Sequence, residues 1–210
     1  MLNYKVCIVH VFIFIYIGKN FFQYKYIMHV LNPNYTDRIY QIVKGTVLGG
    51  SSLIISKGGK SCYLSMRSKD KNWIQYKSQE LSSISSLKPF TLEKTNRWHS
   101  LCYPFLLDIK NNFYKNKDRF IKKDSLNDLK DIAYMIWFGD SGTYKKQQFM
   151  LNTHVWGEEN TLKIIKYFNE SGFNCFIHKE YGKNRIKFDK SSSALILKII
   201  SPHFPHFFKL

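Results

Sequence analysis

The stretch Gln41-Ile-Val-Lys-Gly-Thr-Val-Leu-Gly-Gly-Ser-Ser-Leu53 ends an apolar helical stripe on a glycine pair. A second apolar helical stripe lies in Ile132-Ala-Tyr-Met-Ile-Trp-Phe-Gly-Asp-Ser-Gly142 and ends at Gly139-Asp140-Ser141-Gly142. In the first stretch, Ile39, Ile42, Val43, Val47 and Leu48 fall on one helical face, with Thr36-Asp37 placed to cap it and Gly49-Gly50-Ser51-Ser52 to stop it. In the second, Leu129, Ile132, Ala133, Ile136 and Trp137 follow a cap at Ser125 or Asn127 and run to Gly139-Asp140-Ser141-Gly142.

The segments after each stripe repeat the same order. In the first half, strands are predicted over 53–56 and 62–67, about a turn at Lys57-Gly58-Gly59-Lys60. A helix near 71–81 follows, with Trp73, Ile74, Lys77 and Leu81 at helical spacing, then strands over 87–93 and 97–102 and a helix over 103–114. The second half has a strand pair around Tyr144 and 149–153, then a helix over 158–170 stopped by Gly172. A hairpin over 174–179 and 184–188 turns at Tyr181-Gly182-Lys183, and a last helix over 191–201 ends at Pro202. The fold class is α+β. An apolar extension (1–35) precedes a first α-β-β-α-β-β-α repeat (36–115), a basic linker (116–124), a second repeat (125–202) and an aromatic tail (203–210).

With 210 residues, 44% of them hydrophobic, the chain has enough apolar material for a globular core. Thirty-two Lys and Arg against fifteen Asp and Glu leave +17, an excess that helps no fold and suits a polyanionic partner. Part of that excess reflects composition, because Lys, Asn, Ile, Phe and Tyr all have AT-rich codons. The same bias suits an organelle-encoded protein, in the mitochondrion or another organelle. Cys7, Cys62, Cys102 and Cys175 are widely spaced without a CxxC pair, which fits neither a zinc site nor a disulfide framework. Residues 6–17 are apolar apart from His10, too short a run for a spanning helix. Lys5 ahead of that run fits a signal peptide, but the small-residue cleavage pattern is missing. The β-branched and aromatic residues at 11–17 favour a retained strand buried in a partner.

The two opening stretches resemble the paired motifs of the LAGLIDADG homing endonucleases, in the form of the family's organellar and bacterial branch. The tract Leu151-Asn-Thr-His-Val-Trp-Gly-Glu-Glu-Asn160, followed by Ile164-Ile-Lys-Tyr-Phe168, is the more specific match. In the family, a strand ending in Leu-Asn-Thr leads into the helix after the second motif. Residues 67–81 and 99–114 match weaker stretches of the first repeat, and the resemblance covers about 38–205. It implies two pseudo-symmetric repeats whose motif helices pack side by side, where Gly45 and Gly49 permit close approach. It implies eight strands in two curved sheets, a β-saddle whose ribbons fit the major groove of a duplex. Candidate nucleic-acid contacts are Lys57, Lys60, Arg67, Arg97, Lys145, Lys146, Gln148, Lys179, Lys183, Arg185 and Lys187, each of them also readable as a solvated surface charge.

In the family, each motif helix supplies one carboxylate, just before the motif's closing small residue, to hold a divalent metal that activates water. Those positions here are Gly50 and Ser141. Asp140 lies one residue earlier, about 100° round the helix, and reaches a metal only if the end unwinds. No Asp or Glu lies between Asp37 and Asp70 to replace the first acid. The resemblance therefore implies a protein that binds nucleic acid without cutting it, with no catalytic residue and no cofactor, Mg²⁺ being needed only if cleavage is retained. The partner favoured is structured RNA (rRNA or intron RNA) over DNA, in an organellar ribonucleoprotein such as the mitochondrial ribosome. An intron maturase and an intron-encoded DNA endonuclease are the alternatives. Residues 1–30 and 203–210 are expected to contact neighbouring proteins or to fold back on their own core, and no membrane span is expected. His154 is read as a hydrogen-bonding residue and Glu158 and Glu159 as favourable charges at a helix start.

Overall fold

The computed structural model describes the backbone of residues 8–17, 20–29, 33–180 and 182–206, and side-chain surroundings from Asp37 onward. It divides into two units, residues 1–38 and 39–210. The first holds an antiparallel hairpin, β1 (Ile8–Ile17) and β2 (Asn20–His29), in register from Ile8 opposite His29 to Ile17 opposite Asn20. The apolar run therefore is a strand, as its β-branched residues require, and it is longer than the 11–17 core of the expectation. Its partner strand was not anticipated, because Gln23 and Lys25 interrupt the apolar pattern of residues 20–29.

The second unit begins within α1 (Pro33–Leu48) and continues as β3 (Ser52–Ile55), β4 (Cys62–Ser68), α2 (Lys71–Glu80), β5 (Phe90–Leu92), β6 (Thr95–His99) and α3 (Pro104–Phe113). A short ladder of β7 (Tyr114–Lys115) and β8 (Asp118–Arg119) leads to α4 (Asp131–Ser141). Then follow β9 (Gly142–Lys145), β10 (Gln148–Asn152), α5 (Gly157–Glu170), β11 (Cys175–Glu180), β12 (Lys183–Phe188) and α6 (Lys190–Ile200). The two four-stranded antiparallel sheets have the same topology: β3-β4-β6-β5 in the first half and β9-β10-β12-β11 in the second. The repeat inferred from sequence is thus a repeat of fold.

Each half buries one face of its sheet. Leu64 and Met66 of β4 alternate inward to join Trp73, Ile74, Trp98, Leu106 and Ile109, all essentially without solvent exposure. In the second half Phe138 packs edge-on to Phe149 at 5.2 Å between ring centroids, and Phe168 packs on Phe188 at 4.9 Å.

Two helix starts differ from the expected ones, the first for a local reason and the second for a tertiary one. Helix α1 starts at Pro33, where a proline suits the first turn, so Thr36-Asp37 lie inside it rather than capping it. Helix α4 starts at Asp131 after Lys130, not at Ser125 or Asn127. The residues ahead of it are held by α1: Lys44 Nζ donates to Ser125 O (2.8 Å), and Gln41 Nε2 donates to Asp128 O (2.8 Å). Lys130 N–H donates to Gln41 Oε1 (3.0 Å), so a side chain from another helix stands where a local cap would.

Asp189, by contrast, is a local cap of α6. Its carboxylate accepts from the Ser192 N–H at 2.7 Å, and the Ser192, Asn174 and Ser191 contacts help hold its pKa down to about 2. A depressed carboxylate stabilises the fold fully above its ordinary value near 3.8 and loses that contribution as pH falls toward 2. An NMR titration should place the Asp189 midpoint well below that of an exposed aspartate, and Asp189→Asn should flatten the acid limb of stability.

Candidate nucleic-acid interface

The stripes that open each half meet side by side. A Cβ on Gly45 would lie 2.4 Å from the Ala133 carbonyl oxygen and 2.9 Å from Ile136 Cβ, and one on Gly49 would lie 2.4 Å from Asp140 Cβ. Glycine is required at both points because the α1 and α4 backbones approach too closely for a side chain. The end of α1 is then satisfied from the second half of the chain. Arg119 donates to Val47 O, Gly50 O and Ser51 O at 2.9, 2.8 and 2.7 Å, and Trp156 Nε1 donates to Leu48 O at 3.1 Å. The Arg119 guanidinium lies 4.9 Å from the centre of the Trp156 ring. The segment read as a basic linker therefore supplies the cap of the first motif helix. Arg119→Ala should lower stability by about 2–3 kcal/mol, measured by urea denaturation, with Arg119→Lys recovering part of it.

Asp140 sits where the two helix ends meet, with its side chain only 10% exposed. Trp73 Nε1 donates to Oδ1 at 2.6 Å, and Lys77 Nζ reaches Oδ1 and Oδ2 at 2.6 and 2.8 Å. Lys77 is itself 1% exposed. Burial pushes the Asp140 carboxyl up from its ordinary value, and the Lys77 ammonium and the Trp73 N–H oppose that shift. Both donors come from α2, one turn apart on the face that also carries Ile74 and Leu81 into the core. A cleft opens here between Gly49, Gly50, Arg67, Asp70, Trp73 and Asp140. Asp70 caps α2, accepting from Asn72 N–H and Trp73 N–H at 2.8 and 3.0 Å.

The candidate contacts fall on two sheet faces. In the second half, β-alternation and register put Lys145, Gln148, Lys183, Arg185 and Lys187 on the exposed face, with Thr143, Met150, Asn152 and His178 among them. Lys146 is in the β9–β10 turn at φ 52, and Arg185 pairs with Glu180. Lys179 departs from this set: it lies opposite Asn184 and shares strand parity with Cys175 and Ile177, on the helix side. In the first half, Arg67 and Arg97 stand directly opposite each other on β4 and β6, and Lys57 and Lys60 are exposed in the β3–β4 turn. Four basic residues work inside the fold instead. They are Lys44, Lys77, Arg119 and Lys110, whose Nζ donates to Leu53 O at 2.9 Å, so the charge excess overstates the interface.

Residues 40–196 match the model of the LAGLIDADG DNA endonuclease family. The chain belongs to that family. Its fold is that of the homing endonuclease I-WcaI bound to its DNA recognition sequence, with TM-score 0.70 at 19% identity over 84% of this chain and 92% of that one. I-DmoI in complex with DNA and Mn aligns with TM-score 0.53 at 13% identity, over 80% of this chain and 98% of that one. None of the curated proteins compared matches the chain.

LAGLIDADG endonucleases are metal-dependent, so the donors at the paired helix ends are the test of fit. Gly50 offers no side chain, and its φ of +110° is one a carboxylate-bearing residue rarely adopts. Ser141 is buried and turns its Oγ back to Trp137 O at 3.1 Å. Asp140 already has a cation on both oxygens. Among the described residues, no cluster of three or more His, Cys, Asp or Glu is placed to hold a metal. This donor set does not fit a divalent ion. Helix α4 stays helical through Ser141, and Asp140 lines the cleft from its last turn. Lys77 was legible only as one more residue of a helical stripe, and a lysine on an apolar face was the available signal.

The described part of the tail folds back on its own body, with the Phe204 ring 6.2 Å from that of Trp73 and His203 Nε2 3.7 Å from Asp131 Oδ2. Residues 207–210 lie outside the described residues. Among the described residues no helix is long and apolar enough to cross a membrane.

Proposed function

We propose that this LAGLIDADG protein binds nucleic acid without cutting it, and that its ligand is structured RNA in an organellar ribonucleoprotein such as the mitochondrial ribosome. The observation that carries the non-cutting reading is the Lys77–Asp140 pair. A buried ammonium stands on the carboxylate that α4 brings to the junction of the motif helices, and Gly50 and Ser141 add no acid. A metal would have to displace Lys77 from both oxygens and leave it buried without its partner, which costs several kcal/mol. The basic, amide-rich face of the second sheet supports binding through phosphates and base edges, as do the DNA complexes formed by proteins of this fold.

Assembly into a larger particle is supported by the N-terminal unit. Its two ten-residue strands form a two-stranded hairpin, an arrangement marginally stable alone in water, and its sequence is apolar and aromatic. The test is sedimentation of an organelle extract at high salt, with the protein quantified by mass spectrometry. One copy per ribosomal subunit is expected; recovery at the top of the gradient would dismiss the ribosomal assignment.

A further inference from the structure

The exposed faces of the two sheets differ in chemistry although their topology is the same. The second presents Lys145, Gln148, Asn152, Lys183 and Lys187, groups that pair with phosphates and base edges, with the exposed ring of Phe176 beside them on its edge strand. The first presents a row of rings. Tyr63 on β4, His99 on β6 and Phe90 on β5 form a diagonal row across three neighbouring strands, with centroids 5.9 Å apart for the first pair and 5.8 Å for the second. Phe90 is 47% exposed, and Ile54 and Leu92 on the same face are 39% and 45% exposed. Apolar surface left open across a sheet face is costly unless something covers it.

The polar residues of that face indicate what covers it. Arg67, Arg97 and Phe90 lie directly opposite one another across β4, β6 and β5. Lys57 and Lys60 stand in the adjoining turn, and the acid in reach of Arg97 is the exposed Glu93, at 3.9 Å. Among the described residues, buried Arg97 Nε and His99 Nδ1 have no hydrogen-bond partner. Burial and the neighbouring Arg97 lower the His99 pKa, which favours a neutral imidazole with a stacking face. An apolar protein partner would leave the two arginines uncompensated. A closed duplex would leave the rings idle, because its bases are already stacked. Unpaired bases use both, since every base has a π face and every nucleotide a phosphate.

We infer that the exposed face of the first sheet is a stacking platform for a single-stranded nucleic-acid segment, with bases on Tyr63, His99 and Phe90 and phosphates on Arg67 and Arg97. This rests on the nucleic-acid-binding reading above and assigns a different ligand to each sheet. The experiment uses the full chain and fluorescence anisotropy with two probes, an unstructured uridine-rich 12-mer RNA and a blunt RNA duplex of the same length. The double variant Tyr63→Ala/Phe90→Ala should weaken 12-mer binding about tenfold or more and leave duplex binding within twofold, whereas Tyr63→Phe should keep the 12-mer affinity. The second-sheet variant Lys183→Gln/Lys187→Gln should do the converse, weakening the duplex more than the 12-mer. Unchanged 12-mer binding in the ring variant overturns the inference while duplex binding keeps the nucleic-acid reading intact. Equal loss on both probes makes the face a general surface and also overturns it. Loss of a co-purifying protein by the ring variant, with 12-mer binding retained, would reassign the face to a protein partner. Failure of the wild type to bind either probe would remove both readings together.

Discussion

Lys77→Met should destabilise the protein by about 3–5 kcal/mol, the cost of leaving a buried carboxylate without its counter-ion. Asp140 would retain the Trp73 N–H at 2.6 Å, but the ammonium on both of its oxygens would be gone. The pH dependence has a definite sign. Burial already raises the Asp140 pKa, and removal of Lys77 takes away the largest opposing influence. A carboxyl whose folded pKa lies above its unfolded value of 3.8 favours folding below that value, and that advantage is lost as pH rises through the folded pKa. The Lys77→Met variant should therefore recover stability on acidification from neutral pH, where the wild type shows less recovery. The double variant Lys77→Met/Asp140→Leu should regain most of the loss at pH 7, because no charge is left buried. Urea denaturation at several pH values reads both effects. Equal stability of the single variant and wild type at neutral pH would mean that the pair is solvated and holds nothing closed.

Gly45→Ala is the second large effect. The added methyl would lie 2.4 Å from a backbone oxygen of Ala133, so the α1 and α4 helices must separate and the contacts beyond them must shift. A cost of about 3 kcal/mol is expected, at the upper end for overpacking because the obstacle is backbone rather than a flexible side chain. Gly58→Ala is the control, since a Cβ there meets nothing within 4 Å. Thermal denaturation of the two variants should show a large fall in Tm for the first and little change for the second.

The architecture was legible because it is written in local patterns. Helical stripes at 39–48 and 132–137, a strand over 62–67, and a turn containing Gly182 each depend on near neighbours in sequence, and the structure keeps them all. What was not legible depends on distant partners. The start of α4 is set by Gln41 and Lys44, far away in the chain, so the local caps Ser125 and Asn127 misled. Arg119 looked like one charge in a basic linker, yet its guanidinium closes α1. Lys77 lay in plain view on an apolar stripe, but its meaning required knowing that α2 passes Asp140. The absence of acids at Gly50 and Ser141 could be read from sequence alone. That Asp140 would be neutralised in place could not.

The central claim is that the junction of the motif helices holds a lysine in place of a metal. It is tested most directly by incubating the full protein with its own tightest-bound sequences, selected from pools of duplex DNA and structured RNA, in Mg²⁺ and in Mn²⁺. The products are mapped by sequencing every new end. Salt-sensitive binding with no protein-dependent ends is the expected result. Site-specific ends that require the metal and vanish in Asp140→Asn would contradict the account, by showing that Asp140 leaves Lys77 to serve as a ligand.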